Sequence, residues 1–238
     1  MANSTLTKQR STALRSTVAA KAAMAVTGAI LVLFLIAHMY GNLMIFGGQE
    51  TFDNYSHHLR VLGEPMLPRN GFLWIMRVVL LASVIIHMYS AFTLWSRARR
   101  ATGGKGSRRY HSSKNRRGVQ RTYASFTLRW GGVVIALFVT YHLLHLTANI
   151  IAPGGASDSP YERVVNGFQI WWVVLIYLIS MLAVGFHLRH GLWSAVQTLG
   201  RNKAQRQRAI NVVATAVAVV ITVGFLIPPF SVLFGLVG

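Results

Sequence analysis

The sequence predicts an all-α integral membrane protein. It reads as one transmembrane domain over residues 1–238, a five-helix bundle with the N-terminus inside and the C-terminus outside. Three observations predict this. Five apolar stretches reach the ~20 residues that a helix needs to cross the hydrocarbon core. Only 12% of the residues are charged, against roughly a quarter in soluble proteins. All five acidic residues also fall in two of the connections, while most basic residues fall in the others.

The spans run over about 22–46, 71–95, 129–151, 168–193 and 209–236. The first reads as a span rather than a signal peptide, because its apolar run is long and no small-residue cleavage site follows. Before it lie Lys8, Arg10, Arg15 and Lys21. The second and third spans are joined by a connection with basic residues from Arg97 to Arg121, and the fourth and fifth by one with Arg201, Lys203, Arg206 and Arg208. The five acids, Glu50, Asp53, Glu64, Asp158 and Glu162, lie in the other two connections. Excess lysine and arginine mark the cytoplasmic side, which sets the orientation.

The long connection 47–70 carries Phe52, Tyr55, Leu59 and Leu62 at helical spacing. They predict a short interfacial helix, ended by Pro65 and Pro68. Trp74, Trp130, Trp171, Trp172 and Trp193 lie near span ends, where interface anchoring explains them. The basic connection 96–128 is rich in Gly, Ser and Arg and suits contact with lipid headgroups or a docked partner.

A net charge of +19 invites a nucleic-acid reading. The distribution argues against it, since the basic residues punctuate apolar spans and no soluble fold presents them. The chain has no cysteine. That excludes disulfides, covalent c-type haem and cysteine-ligated iron–sulfur clusters within it.

The informative residues are His38, His87, His142 and His187, one in each of the first four spans. An ionisable group inside a membrane helix is a functional-site hypothesis by default. Helical rise converts their positions to depth. Measured from the span midpoints, His38 lies about 6 Å and His142 about 3 Å towards the outside, with His145 about 8 Å. His87 lies about 6 Å towards the inside, His187 about 10 Å and His190 about 15 Å. His38 therefore pairs in depth with His142 or His145, and His87 pairs better with His187 than with His190. Two such pairs, roughly 10–16 Å apart along the membrane normal, suit two haems b with two imidazole ligands per iron. Hydrogen bonding between helices would explain a single histidine as well. Four at matched depths favour metal ligation. Structural zinc takes four ligands at one depth, which this pattern does not supply, and no acid lies inside a span to serve a proton path.

Small residues Gly28, Ala29, Gly131, Gly132 and Gly185 would admit a flat macrocycle or simply close helix packing. Arg77, Arg129 and Arg189, within or at the edge of spans, are candidates for haem propionates, with snorkelling to headgroups as the alternative.

The histidines lie in the strings I-A-H-M-Y-G-N around His38, I-I-H-M-Y-S-A-F around His87, V-T-Y-H-L-L-H around His142 and G-F-H-L-R-H-G-L-W-S around His187. These resemble the single-subunit dihaem cytochrome b anchor of succinate dehydrogenase and fumarate reductase, the complex II family. The resemblance covers essentially the whole chain. It implies that His38 and His142 ligate a distal haem near the outside, and His87 and His187 a proximal haem near the inside. It selects His142 over His145, which depth alone does not. His145 and His190 are left for propionate or helix contacts.

The resemblance further implies a flavoprotein subunit carrying FAD and an iron–sulfur subunit, docked on the inner face of a bacterial cytoplasmic membrane. This chain would then exchange electrons with membrane quinone, typically menaquinone in the dihaem members. Glu64, near the outer start of the second span, is the nearest match to an acid that handles quinone protons in some relatives. A cytochrome b subunit of another quinone-linked dehydrogenase and a haem-free membrane anchor are the competing readings.

Overall fold

The computed structural model describes residues 16–102, 119–198 and 204–238, and every regular element among them is helical. Five long helices alternate in direction. α1 (Thr17–Leu43) continues through a 3-10 turn (Met44–Gly47) into the short α2 (Gly48–Val61). α3 spans Gly71–Thr102, and α4 spans Val119–His142 and ends in a π turn over Leu143–Thr147. A short α5 (Pro160–Phe168) precedes α6 (Trp171–Thr198) and α7 (Ala204–Leu233). Five helices are long and apolar enough to cross a membrane, and α1 alone, with 27 residues, rises about 40 Å. The protein is a multi-pass membrane protein.

Charge separates the two ends of the bundle. The acidic end holds α2, α5 and the connections with Glu50, Asp53, Glu64, Asp158 and Glu162; Arg97, Arg100, Arg206 and Arg208 lie at the basic end. Hydrogen bonds tie neighbouring helices at the basic end. Arg97 donates to Thr17 Oγ1 (3.0 Å), Arg189 Nε to Thr215 Oγ1 (3.0 Å) and Trp193 Nε1 to Gln207 Oε1 (3.2 Å). The basic residues from Lys8 to Arg15, from Lys105 to Arg117, and Arg201 with Lys203 lie outside the described residues.

Local chemistry sets the element ends. Ser16 caps α1 by accepting from Ala19 N at 3.1 Å. At the other end α-geometry stops at Leu43, earlier than the expected limit of 46. Gly48, at φ +82°, turns the chain into α2, a backbone state that glycine adopts without a Cβ penalty. α2 is the expected interfacial helix, with Phe52 buried; Leu62 lies just past its end.

α5 was not expected. Its N-terminus is nonetheless written in the sequence as a capping box. Ser159 Oγ accepts from Glu162 N at 3.2 Å, and Pro160 opens the helix. Because Phe168 belongs to α5, the fourth span starts at Trp171 rather than at 168, and it runs on to Thr198. α5 is fastened to α2: Asp53 accepts from Ser159 Oγ (2.6 Å) and Tyr161 N (3.0 Å), and Gln49 Nε2 donates to Glu162 Oε1 (3.3 Å).

α6 is the central helix of the bundle. Val173, Val174 and Tyr177 on it pack with Ile45, Phe52, Val165 and Phe168 at the acidic end. Further along, Met181, Val184 and Leu188 pack with Ala218 and Ile221 of α7. Lipid is as apolar as leucine, so association here relies on close packing and small residues. Gly185 faces the Thr222 side chain and Gly224 faces Met39, and neither contact leaves room for a Cβ.

Candidate functional site

The histidines meet as two cross-helix pairs. His38 of α1 and His142 of α4 have ring centroids 5.7 Å apart. His87 of α3 and His187 of α6 have centroids 6.2 Å apart. Each pair brings two imidazoles from different helices within reach of one bound group.

The pairs lie at different depths, and three helices report the same spacing. Thr27 and Gly28 of α1 touch the His87 ring, and His38 lies eleven residues further on, about 16 Å along the helix. Gly132 of α4 abuts His187 Cε1 at 3.9 Å, and His142 lies ten residues further on, about 15 Å. On α6, ten residues separate His187 from Tyr177, which hydrogen-bonds to His142, again about 15 Å. One site therefore lies towards the basic end and the other towards the acidic end.

At the basic-end site the tautomer of His87 follows from Thr27. The Thr27 hydroxyl has one proton, and it donates to the Ala23 carbonyl at 2.7 Å. Its oxygen is then the acceptor for His87 Nδ1–H at 3.2 Å. This leaves the Nε2 lone pair of His87 free to bind a metal. Thr27 is buried at 6% exposure, so water does not replace the bond. Gly28 and Gly132 put bare backbone beside the two rings, with ideal Cβ positions 3.5 and 3.9 Å from the His87 and His187 Cε1 atoms.

The acidic-end site sits among aromatic rings. Phe34 stacks on His38 at 5.3 Å, Phe225 tilts against it at 5.7 Å, and Phe138 lies 5.7 Å from His142. Tyr177 Oη lies 3.2 Å from His142 Nδ1 and 3.0 Å from His145 Nδ1. His142 is the last residue of α4, and His145 sits in the π turn, closed by Ala148 N donating to Leu143 O at 2.7 Å. That wider turn lets both rings reach one phenol. His145 is 2% exposed, and its ring edge lies against Gly167, where a Cβ would come within 2.5 Å of Nε2. The structure thus separates the two histidines by position: His142 lies beside His38, and His145 packs between α5 and α6.

The remaining candidates lie elsewhere. Arg77 is exposed on α3 and lies over the Trp74 ring at 5.0 Å. Arg189 is exposed and engages Thr215. His190 is partly buried, with no hydrogen-bond partner at Nε2. The Arg129 side chain lies outside the described set. Glu64 is exposed in the connection between α2 and α3, at the same end as the His38–His142 pair. Sequence reasoning missed Thr27 and Tyr177. Both are polar groups inside apolar spans, which was the available signal.

The donor sets suit a group that brings its own equatorial ligands. Among the described residues no three His, Asp or Glu side chains converge as a metal site. Two neighbouring imidazoles with apolar and glycine surroundings fit a planar haem, whose macrocycle supplies the other four ligands.

The family described as succinate dehydrogenase/fumarate reductase transmembrane subunit matches residues 108–224. The match holds His142, His145, Tyr177 and His187 but not His38 or His87. The chain is also similar to the succinate dehydrogenase cytochrome b558 subunit of Bacillus subtilis (strain 168), with 24% identity over 185 residues, 78% of this chain and 81% of the relative. No solved structure matches. This match, the similarity to the relative and the five spanning helices among the described residues support a membrane anchor of the succinate dehydrogenase/fumarate reductase kind.

Proposed function

We propose that the chain is the membrane-anchoring cytochrome b subunit of a succinate:quinone oxidoreductase, passing electrons between an iron–sulfur subunit and membrane quinone through two bis-histidine haems b. The observation that carries this reading is the pair of neighbouring imidazoles from different helices at each of two depths. One-electron transfer is what haem b supplies when bound. The residues of the chain hold and orient. His87 and His187 ligate at the basic end, His38 and His142 at the acidic end. Thr27 presents the His87 Nε2 lone pair to the site. The rings of Phe34, Phe138 and Phe225 exclude water from the acidic-end pair.

In this reading the basic end faces the cytoplasm and docks the flavoprotein and iron–sulfur subunits, which carry the dicarboxylate chemistry. Excess basic charge there supports that orientation. The two histidine pairs, about 15 Å apart in depth, would hold haems able to carry electrons towards a quinone, menaquinone in this reading, at the acidic end. Quinone reduction takes up protons as well as electrons. Glu64 is exposed at that end and is the carboxylate assigned to proton delivery.

A reduced-minus-oxidised spectrum of the gently purified complex, with haem extracted and counted, tests the reading. Two low-spin b haems per complex are expected, with flavin and iron–sulfur subunits co-purifying. His38→Ala or His142→Ala should remove one haem, and His87→Ala or His187→Ala the other. Two haems retained in a His187→Ala, His190→Ala double variant would refute the ligand assignment.

A further inference from the structure

We propose that Tyr177 is a positioning residue for the acidic-end haem, setting its redox equilibrium by fixing the tautomers of His142 and His145 together. The inference rests on the bis-histidine reading and deepens it at one of the two sites.

Tyr177 Oη lies within hydrogen-bond distance of both Nδ1 atoms, at 3.2 Å for His142 and 3.0 Å for His145. A phenol has one proton to donate and lone pairs to accept with. A ligating imidazole binds through one nitrogen and carries its proton on the other. His142, facing His38, therefore donates Nδ1–H to the Tyr177 oxygen. The Tyr177 proton then goes to His145 Nδ1, and His145 is the Nε2–H tautomer. The relay runs His142 to Tyr177 to His145, with one donor and one acceptor at each of the two Nδ1 contacts.

Tyr177 is 6% exposed and His145 2% exposed, so a phenol proton without an acceptor would bear its full desolvation penalty. Phe168 and Phe138 hold the tyrosine ring edge-on, at 4.7 and 5.0 Å. Gly167 leaves the space that His145 fills.

The relay has an electronic consequence. Donation to His145 polarises the phenol and makes its oxygen a better acceptor. A stronger acceptor at His142 Nδ1–H raises the basicity of the ligating nitrogen. A more basic ligand stabilises the more positive, oxidised iron. The basic-end site has the Thr27 hydroxyl instead, whose proton goes to a backbone carbonyl and not to a second imidazole. The two sites therefore differ in the group behind one ligand of each pair.

The test is a redox titration of the purified complex, with each haem assigned by its loss in His38→Ala or His187→Ala. In Tyr177→Phe the acidic-end haem should become easier to reduce by about tenfold in its redox equilibrium, 59 mV for one electron, while the basic-end haem keeps its potential. His145→Gln retains an acceptor for the phenol proton and should stay at the wild-type potential. His145→Leu removes that acceptor and should shift the acidic-end haem in the same direction by less. If Tyr177→Phe does not hold the acidic-end haem, the Gln–Leu contrast at His145 decides. Unchanged potentials in Tyr177→Phe and His145→Leu, or equal shifts of both haems, would overturn the proposal. A wild-type complex without haem b would instead defeat the bis-histidine reading itself, before any variant is made.

Discussion

Replacing Thr27 with valine keeps the shape of the side chain and removes one hydroxyl. Three contacts depend on that hydroxyl: to Ala23 O at 2.7 Å, to Met24 O at 3.3 Å, and with His87 Nδ1 at 3.2 Å. The Ala23 carbonyl belongs to the α1 ladder and keeps its helical donor. His87 Nδ1–H loses that acceptor. The net loss of one such hydrogen bond costs about 0.5–1.5 kcal/mol. At 1.4 kcal/mol per factor of ten, the basic-end haem should bind roughly 2- to 12-fold more weakly. Partners behind metal-bound histidines are worth 10–100-fold in the same sense. The assay is haem release, followed as the decay of b-type absorbance after mixing the complex with an excess of a high-affinity haem scavenger. Thr27→Val should release the basic-end haem faster and the acidic-end haem at the wild-type rate. Thr27→Ser, which keeps the oxygen, should resemble wild type. Equal release from Thr27→Val and wild type, or from both haems alike, would refute the reasoning.

Two further outcomes follow from the packing and the charge distribution. Gly167→Ala should lower the melting temperature of the detergent-solubilised complex. Alanine in a helix interior would ordinarily stabilise by about 0.5–1 kcal/mol, but its Cβ would meet His145 Nε2 at 2.5 Å, and overpacking of this kind costs about 1–3 kcal/mol; a raised melting temperature would show that His145 yields freely. Glu64→Gln should retain both haems and lower quinone turnover, measured with an electron donor to the iron–sulfur subunit, and undiminished turnover would remove Glu64 from proton delivery.

The sequence by itself determined the spans and the depths of the histidines. A regular helix advances a constant 1.5 Å per residue, so position within an apolar stretch is already a coordinate along the membrane normal. That is why His38 could be matched with His142 or His145, and His87 with His187, before any packing was known. The charge pattern likewise separated the two ends, because all five acids occupy two connections and most of the bases the others. α5 was also legible, through Ser159, Pro160 and Glu162, but its short run merged with the apolar stretch beginning at 168.

What only the tertiary structure decided is direction around each helix axis. His142 and His145 differ by three residues, and both were open at the level of depth. The π turn after His142 changes the rotation that an unbroken α-helix would have imposed, and it turns both rings to one tyrosine. Thr27 and Tyr177 became part of the sites for the same reason. Each bonds a side chain far away in sequence, on a helix whose azimuth is set by glycine contacts such as Gly185 with Thr222 and Gly224 with Met39. Helical rise is a property of the backbone and repeats everywhere. The partner across an interface depends on how two surfaces interlock, and residue spacing along one chain does not carry that information.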